Sequence, residues 1–157
     1  MSLTTVGLAG VLGLSGCGAG APSASDISAE AGALQAVGFD TGLAAAPDPS
    51  ASAAGHGKGR VRQYLRKNTL HGEVTVQGKD GVKTIVVQRG TVTAVTSTSL
   101  SVKSTDGFTA TWTFGDKLKV VQDKKAVAVS TVKTGAEVGV AGTKDGSADA
   151  ARLIAVK

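Results

Sequence analysis

The sequence predicts an all-β protein built around a small barrel, and three patterns carry that prediction. Between Phe108 and Phe114, large apolar residues alternate with threonines, so a strand there has one dry face. An apolar run at 82–95 is interrupted by Gly90, which is typical of a strand that bends at a barrel corner. The chain contains 22 glycines and only 3% aromatic residues, which fits a turn-rich β protein with a modest core. Phe108, Trp112 and Phe114 are therefore expected to share that core.

The rest of residues 72–157 divides into short apolar segments separated by turn residues. Alternation at Val74 and Val76, followed by a Gly-Lys-Asp-Gly turn at 78–81, predicts a hairpin with the long strand. A helical turn at 130–134 is expected to end at Gly135. The segment 108–114 is expected to end at the turn 115–116. Further strands are expected near residues 100–102, 118–121, 126–129, 138–142 and 151–156.

The first 17 residues predict an exported, lipid-modified protein. Residues 3–16 are uncharged and apolar, shorter than the about 20 residues that span a bilayer, and typical of a signal peptide. They end in Leu14-Ser15-Gly16-Cys17, which resembles the lipobox of bacterial lipoproteins. The resemblance implies removal of residues 1–16 and a lipid on Cys17. The mature protein would then be anchored on the outer face of the cell membrane, or secreted.

One feature of this segment departs from the lipoprotein pattern. A signal peptide starts with basic residues, whereas residues 1–16 contain no Lys or Arg. Either the natural start codon lies upstream or the segment is not exported, and the first interpretation is favoured. The competing interpretation of the whole segment is a disordered leader with an incidental cysteine.

Residues 17–57 predict a flexible tether. They consist mostly of Ala, Gly, Ser, Pro and Asp, and they contain no Lys or Arg. A coil of about 40 residues has a typical span of roughly 35 Å, enough to hold a folded module clear of lipid head groups. The apolar positions within 27–37 share a weak helical face, so docking of this stretch on the barrel is the alternative.

The segment 58–71 predicts a short basic amphipathic helix. Val61, Tyr64 and Leu65 fall at helical spacing. One interpretation is that Val61 and Leu65 cap the barrel while the bases form a solvated face. The other is a contact with phospholipid head groups, teichoic acid or nucleic acid. The candidate contact residues for such an anionic ligand are Lys58, Arg60, Arg62, Arg66 and Lys67.

The C-terminal half resembles a bacterial domain-of-unknown-function family of small OB-like envelope modules. The resemblance covers residues 89–157 and rests on three segments: GTVTAV at 90–95, the glycine-spaced valines of 132–142, and ARLI at 151–154. It implies an OB-like fold for this region, and the whole predicted β-barrel module is 72–157. It implies no chemistry, because the matching positions are glycines and aliphatic residues.

No set of residues in the sequence indicates catalysis, a cofactor or a metal site. His56 and His71 lie outside the expected core, and the three glutamates show no paired arrangement. Trp112 is expected in the core, with a stacking platform for single strands or sugars as the alternative. The expected function is a non-enzymatic cell-envelope lipoprotein whose barrel binds an envelope component or a partner protein. The alternative is an OB-type protein that binds single-stranded nucleic acid or an anionic polymer, and an enzyme is a third hypothesis without candidate residues.

Overall fold

The computed structural model describes residues 27–44, 58–78, 81–146 and 148–157 of the chain. Within these ranges the fold consists of two helices followed by a seven-stranded sheet. A 3-10 turn at Val129–Thr131 separates the fifth strand from the sixth. In chain order the elements are α1 (Ser28–Ala36), α2 (Lys58–Asn68), β1 (His71–Gly78), β2 (Gly81–Val95), β3 (Ser99–Lys103), β4 (Thr109–Gln122), β5 (Lys125–Val127), β6 (Glu137–Asp145) and β7 (Ala148–Val156).

Five of the strands close into a barrel. The order β2-β3-β4-β7-β6 returns to its start because β6 also pairs with β2. Every pairing in the ring is antiparallel except β4 with β7. Closure around five strands with this crossover is the architecture of a small OB-like barrel, as the sequence predicts. Two additions lie outside the ring: β1 forms a hairpin with the first half of β2, and β5 folds back on the end of β4.

The corner predicted at Gly90 is confirmed, and its cause is a close backbone approach. A Cβ atom on Gly90 would lie 2.3 Å from the carbonyl oxygen of Lys103, so no other residue fits without moving β3. Here β2 changes partners: its residues 85–91 pair with β6, and its residues 91–95 pair with β3. A bulge between Val92 and Ala94 increases the bend.

Trp112 occupies the barrel interior and is fully buried. Its indole Nε1 donates a hydrogen bond of 2.9 Å to Gln88 Oε1. The Gln88 amide in turn donates to the carbonyl of Val102 at 3.0 Å and to Ser104 Oγ at 3.1 Å. Each buried polar atom of this network therefore has a partner, as a dry interior requires. The expectation that Trp112 belongs to the core is confirmed.

The expectation that Phe108 shares this core is wrong. Phe108 precedes β4 and is 45% exposed. The turn before it is closed by Asp106, whose Oδ1 accepts a hydrogen bond from the Phe108 amide at 3.1 Å. Gly107 adopts the positive φ of +93° that such a tight turn favours. Phe114 does pack against the interior cluster, partly buried, and β4 then continues through 115–116 to Gln122 instead of ending there.

Helix α1 covers the outside of the barrel. Its apolar residues form a second cluster with outward-facing residues of β2, β4, β6 and β7. The expected flexible tether is therefore wrong for residues 27–44, and the alternative of docking on the barrel holds; residues 17–26 and 45–57 lie outside the described residues. Burial on both faces explains why these strands carry adjacent apolar residues. The cluster consists of Ile27, Ala31, Leu34, Val37, Phe39, Val87, Val121, Ala141, Leu153 and Ala155.

A buried ion pair fixes α1 on the sheet. Glu30 in the first turn of the helix is 1% exposed, and its Oε1 accepts a hydrogen bond of 2.8 Å from Arg152 Nη1 on β7. Beneath the same helix, a Cβ atom on Gly139 would lie 2.9 Å from Leu34 Cδ2 and 2.7 Å from Phe39 Cδ2. A glycine at this position lets the helix approach the strand closely.

Candidate functional site: a basic helix held at one end

The C-terminal end of α2 is fixed to the rest of the fold. Arg66 Nε donates a hydrogen bond of 3.2 Å to the carbonyl of Gln35 at the end of α1. Arg89 Nη1 on β2 donates to the carbonyl of Lys67 at 3.2 Å and to that of Val37 at 3.4 Å. A guanidinium at this place satisfies helix carbonyls that have no partner within the helix and complements the negative end of the helix dipole. One arginine thus joins the ends of both helices to the barrel.

The apolar side chains of α2 face away from the protein. Val61 is 61% exposed, Tyr64 67% and Leu65 52%, and they occupy one side of the helix. The interpretation that Val61 and Leu65 cap the barrel is therefore wrong. Within the described residues, the helix that packs on the sheet is α1, which contacts β2, β6 and β7.

All five candidate contact residues for an anionic ligand lie on α2. Arg60, Arg66 and Lys67 are exposed, and the side chains of Lys58 and Arg62 lie outside the described part. The helix contains no acidic residue that offsets them. The nearby carboxylate of Asp40 is paired with Lys124 at 2.9 Å. That hydrogen bond from Lys124 lowers the pKa of Asp40 below its ordinary value of 3.8, so Asp40 stays charged and paired at neutral pH.

The predicted lipidation residue Cys17 lies outside the described residues, as does His56. Neither helix in the described ranges is long and apolar enough to cross a membrane. The same ranges contain no group of three or more His, Cys, Asp or Glu side chains that could hold a metal ion.

His71 is the one described histidine, and the structure gives it two partners that its local sequence does not show. Its Nε2 lies 2.9 Å from Asp106 Oδ2, and its ring stacks on Phe108 with centroids 4.0 Å apart. The hydrogen bond from His71 lowers the pKa of Asp106. The three residues join the start of β1 to the loop between β3 and β4. Only the fold brings them together, because 35 residues separate His71 from Asp106.

The outer face of β3 and β4 carries hydroxyl groups. Thr109, Thr111 and Thr113 are exposed, and Thr111 Oγ1 lies 2.9 Å from Ser101 Oγ across the strand pair. Trp112 points to the opposite side and is fully buried, so it offers no stacking surface to a ligand. Within the described residues, α2 combines exposed apolar side chains with bases that no acidic residue of the helix offsets.

No family model matches the chain, and neither the curated proteins nor the solved structures contain a match to it.

Proposed function

We propose that the protein is a non-enzymatic cell-envelope lipoprotein. In this proposal residues 1–16 are a signal peptide, Cys17 carries the lipid, and the OB-like barrel is displayed at the outer face of the membrane. There the barrel binds an envelope component or a partner protein. The family resemblance of residues 89–157 to small envelope modules points to the same compartment.

The observation that carries the proposal is the exposure of α2. An isolated helix of 11 residues is marginal in water, and most helices are stabilised by packing of their apolar face. Here that face is exposed, and it is surrounded by positive charge. Such a surface suits an acidic partner that also accepts apolar groups. A cell envelope offers partners of this kind at high local concentration to an anchored protein.

The experiment that tests the anchor compares the natural product with its Cys17→Ser variant. Both are expressed in a bacterium from the natural upstream start, and intact mass and membrane partitioning are measured. We expect the natural product to gain the mass of a lipid and to sediment with membranes. The variant should lack that gain and partition into the soluble fraction. An unmodified natural product would contradict the proposal and would make single-stranded nucleic acid the first ligand to test.

A further inference from the structure

We propose that α2 is an interfacial helix that lies in the head-group layer of an anionic phospholipid bilayer, the same bilayer that holds the lipid on Cys17. This inference rests on the proposed lipid anchor and adds to it a second contact with the membrane. The argument has three parts: the length of chain between anchor and fold, the place where α2 leaves the fold, and the chemistry of its exposed face.

The docking of α1 shortens the distance between anchor and barrel. Ile27 is fully buried, so the folded body begins only ten residues after Cys17. Ten residues span at most about 35 Å when fully extended, and roughly 16–19 Å as a coil. A tether of 17–57 would span roughly 35 Å as a coil and several times more when extended. The barrel is thus held next to the membrane.

Helix α2 leaves the folded body close to the point where the anchored segment enters it. The contact between the two helices joins Arg66 to the carbonyl of Gln35. Gln35 lies seven residues after Ser28, the first residue of α1, which is about 10 Å along a helix. A membrane that holds Cys17 within the reach of ten residues is therefore also within the reach of α2.

The exposed face of α2 has the composition of an interfacial helix. Such helices bury apolar and aromatic side chains at the boundary between head groups and acyl chains, while Lys and Arg face anionic head groups. Val61, Tyr64 and Leu65 supply the first group. Each base near an anionic surface strengthens binding by about fivefold at physiological ionic strength. Arg60, Arg66 and Lys67 supply the second group, and the helix sequence adds the bases Lys58 and Arg62.

The test uses the full chain with Cys17→Ser, so that no lipid on residue 17 contributes to binding. Sedimentation with vesicles of phosphatidylcholine is compared with vesicles that contain 30% phosphatidylglycerol. Arg60→Gln, Arg62→Gln and Lys67→Gln are combined in one variant, which keeps the Arg66 contact to α1. The barrel control, which is matched in charge, combines Lys103→Gln, Lys125→Gln and Lys133→Gln, three exposed lysines on the strands and loops outside α2.

We expect the α2 variant to lose about a hundredfold in partitioning to the anionic vesicles, from three contributions of about fivefold each. The barrel control should lose much less, and phosphatidylcholine vesicles should bind all forms weakly. Equal losses in both variants would overturn the proposal, because net charge alone would explain them. Absence of binding to anionic vesicles would overturn it too, as would tighter binding to single-stranded DNA or teichoic acid at the same ionic strength.

A second measurement reports where the helix lies. Tyr64→Trp places an indole on the apolar face, and Gln63→Trp places one on the neighbouring exposed side. After subtraction of the Trp112 emission of the parent, the Tyr64→Trp signal should shift to shorter wavelength with anionic vesicles and be quenched by spin-labelled acyl chains, whereas the Gln63→Trp signal should respond less. Equal responses would exclude an oriented helix. Because these proteins lack Cys17, failure of the anchor in the mass measurement and failure of α2 here are separate results.

Discussion

Helices α1 and α2 both precede the barrel, yet they use their apolar residues in opposite ways. Helix α1 is built largely from Ala, Gly and Ser, and its apolar residues Ala31 and Leu34 are fully buried. Helix α2 has the clearer segregation of apolar and charged residues. Its Val61 and Leu65 are nevertheless more than half exposed. The helix with the weaker sequence signal is the one that completes the fold.

The difference shows that amphipathicity predicts a helix without predicting what covers its apolar face. Helix α1 docks because its side chains are small and because Gly139 beneath it removes a methyl group from the contact. Docking also gives Glu30 its partner Arg152. Helix α2 has long charged side chains on most of its surface, and desolvating them against a sheet would cost more than burying Val61 and Leu65 would gain.

The sharpest test of this comparison substitutes one leucine in each helix. Leu34→Ala should lower the free energy of unfolding by about 3 kcal/mol, because it removes a fully buried side chain and leaves a cavity. Leu65→Ala should change it by less than about 0.5 kcal/mol, since that side chain is exposed. Urea unfolding followed by the fluorescence of Trp112 measures both. Similar effects in the two variants would mean that α1 and α2 are covered to the same extent.

A second test concerns the ion pair that fixes α1. Arg152→Met should destabilise the protein by about 2–3 kcal/mol, because it leaves the buried carboxylate of Glu30 without this charged partner. Combining it with Glu30→Gln should recover part of the loss, since the buried charge is then gone. The double-mutant cycle in urea unfolding measures the coupling. Strictly additive losses would show that the pair does not act as a unit.

The strands and the corner of the barrel were predictable from the sequence because they depend on local patterns. Alternation at Leu100 and Val102, the turn at Gly107 and the bend at Gly90 each have a direct physical cause. Phe108 was misplaced because alternation does not show where a turn ends and a strand begins. The pair of His71 with Asp106 was not predictable, because it depends on long-range topology.

The sequence signal for the docking of α1 lies in the strands beneath it and not in residues 27–37 themselves. Adjacent apolar residues in a strand point to opposite faces, so a doublet indicates burial on both sides. Such doublets occur at Val86-Val87, Val120-Val121 and Leu153-Ile154, and in each pair one residue faces the interior and the other faces α1. A barrel with an apolar outer patch needs a cover, and the apolar residues of 27–43 are one candidate for it. For α2 the sequence predicts the helix and its basic residues, but it does not predict that the apolar face is exposed.

A third test probes how closely α1 approaches the sheet. Gly139→Ala should cost about 1–2 kcal/mol, because its Cβ atom would overlap Leu34 and Phe39 and push the helix outward. Gly72→Ala on β1 is the matched control, since no atom lies within 4 Å of the added Cβ, and we expect a change within about 0.5 kcal/mol. Thermal unfolding measures both. An unchanged unfolding temperature for Gly139→Ala would indicate that Leu34 and Phe39 move easily to make room for the added methyl group.

The smallest effect concerns the exposed pair of Asp40 and Lys124, which ties the segment after α1 to the turn between β4 and β5. Because the hydrogen bond from Lys124 lowers the folded-state pKa of Asp40 below 3.8, the pair stabilises the fold above that pH. Its contribution is lost as the pH falls through the lowered pKa. Asp40→Asn keeps the oxygen that accepts the Gly42 amide hydrogen bond but removes the charge. The unfolding free energy of Asp40→Asn should therefore lie below that of the parent by a constant amount near neutral pH, and the difference should vanish in acid. As a control, Arg60→Gln in α2 should show the same dependence of unfolding free energy on pH as the parent. A deficit for Asp40→Asn that persists at low pH would show that the charge is not the cause.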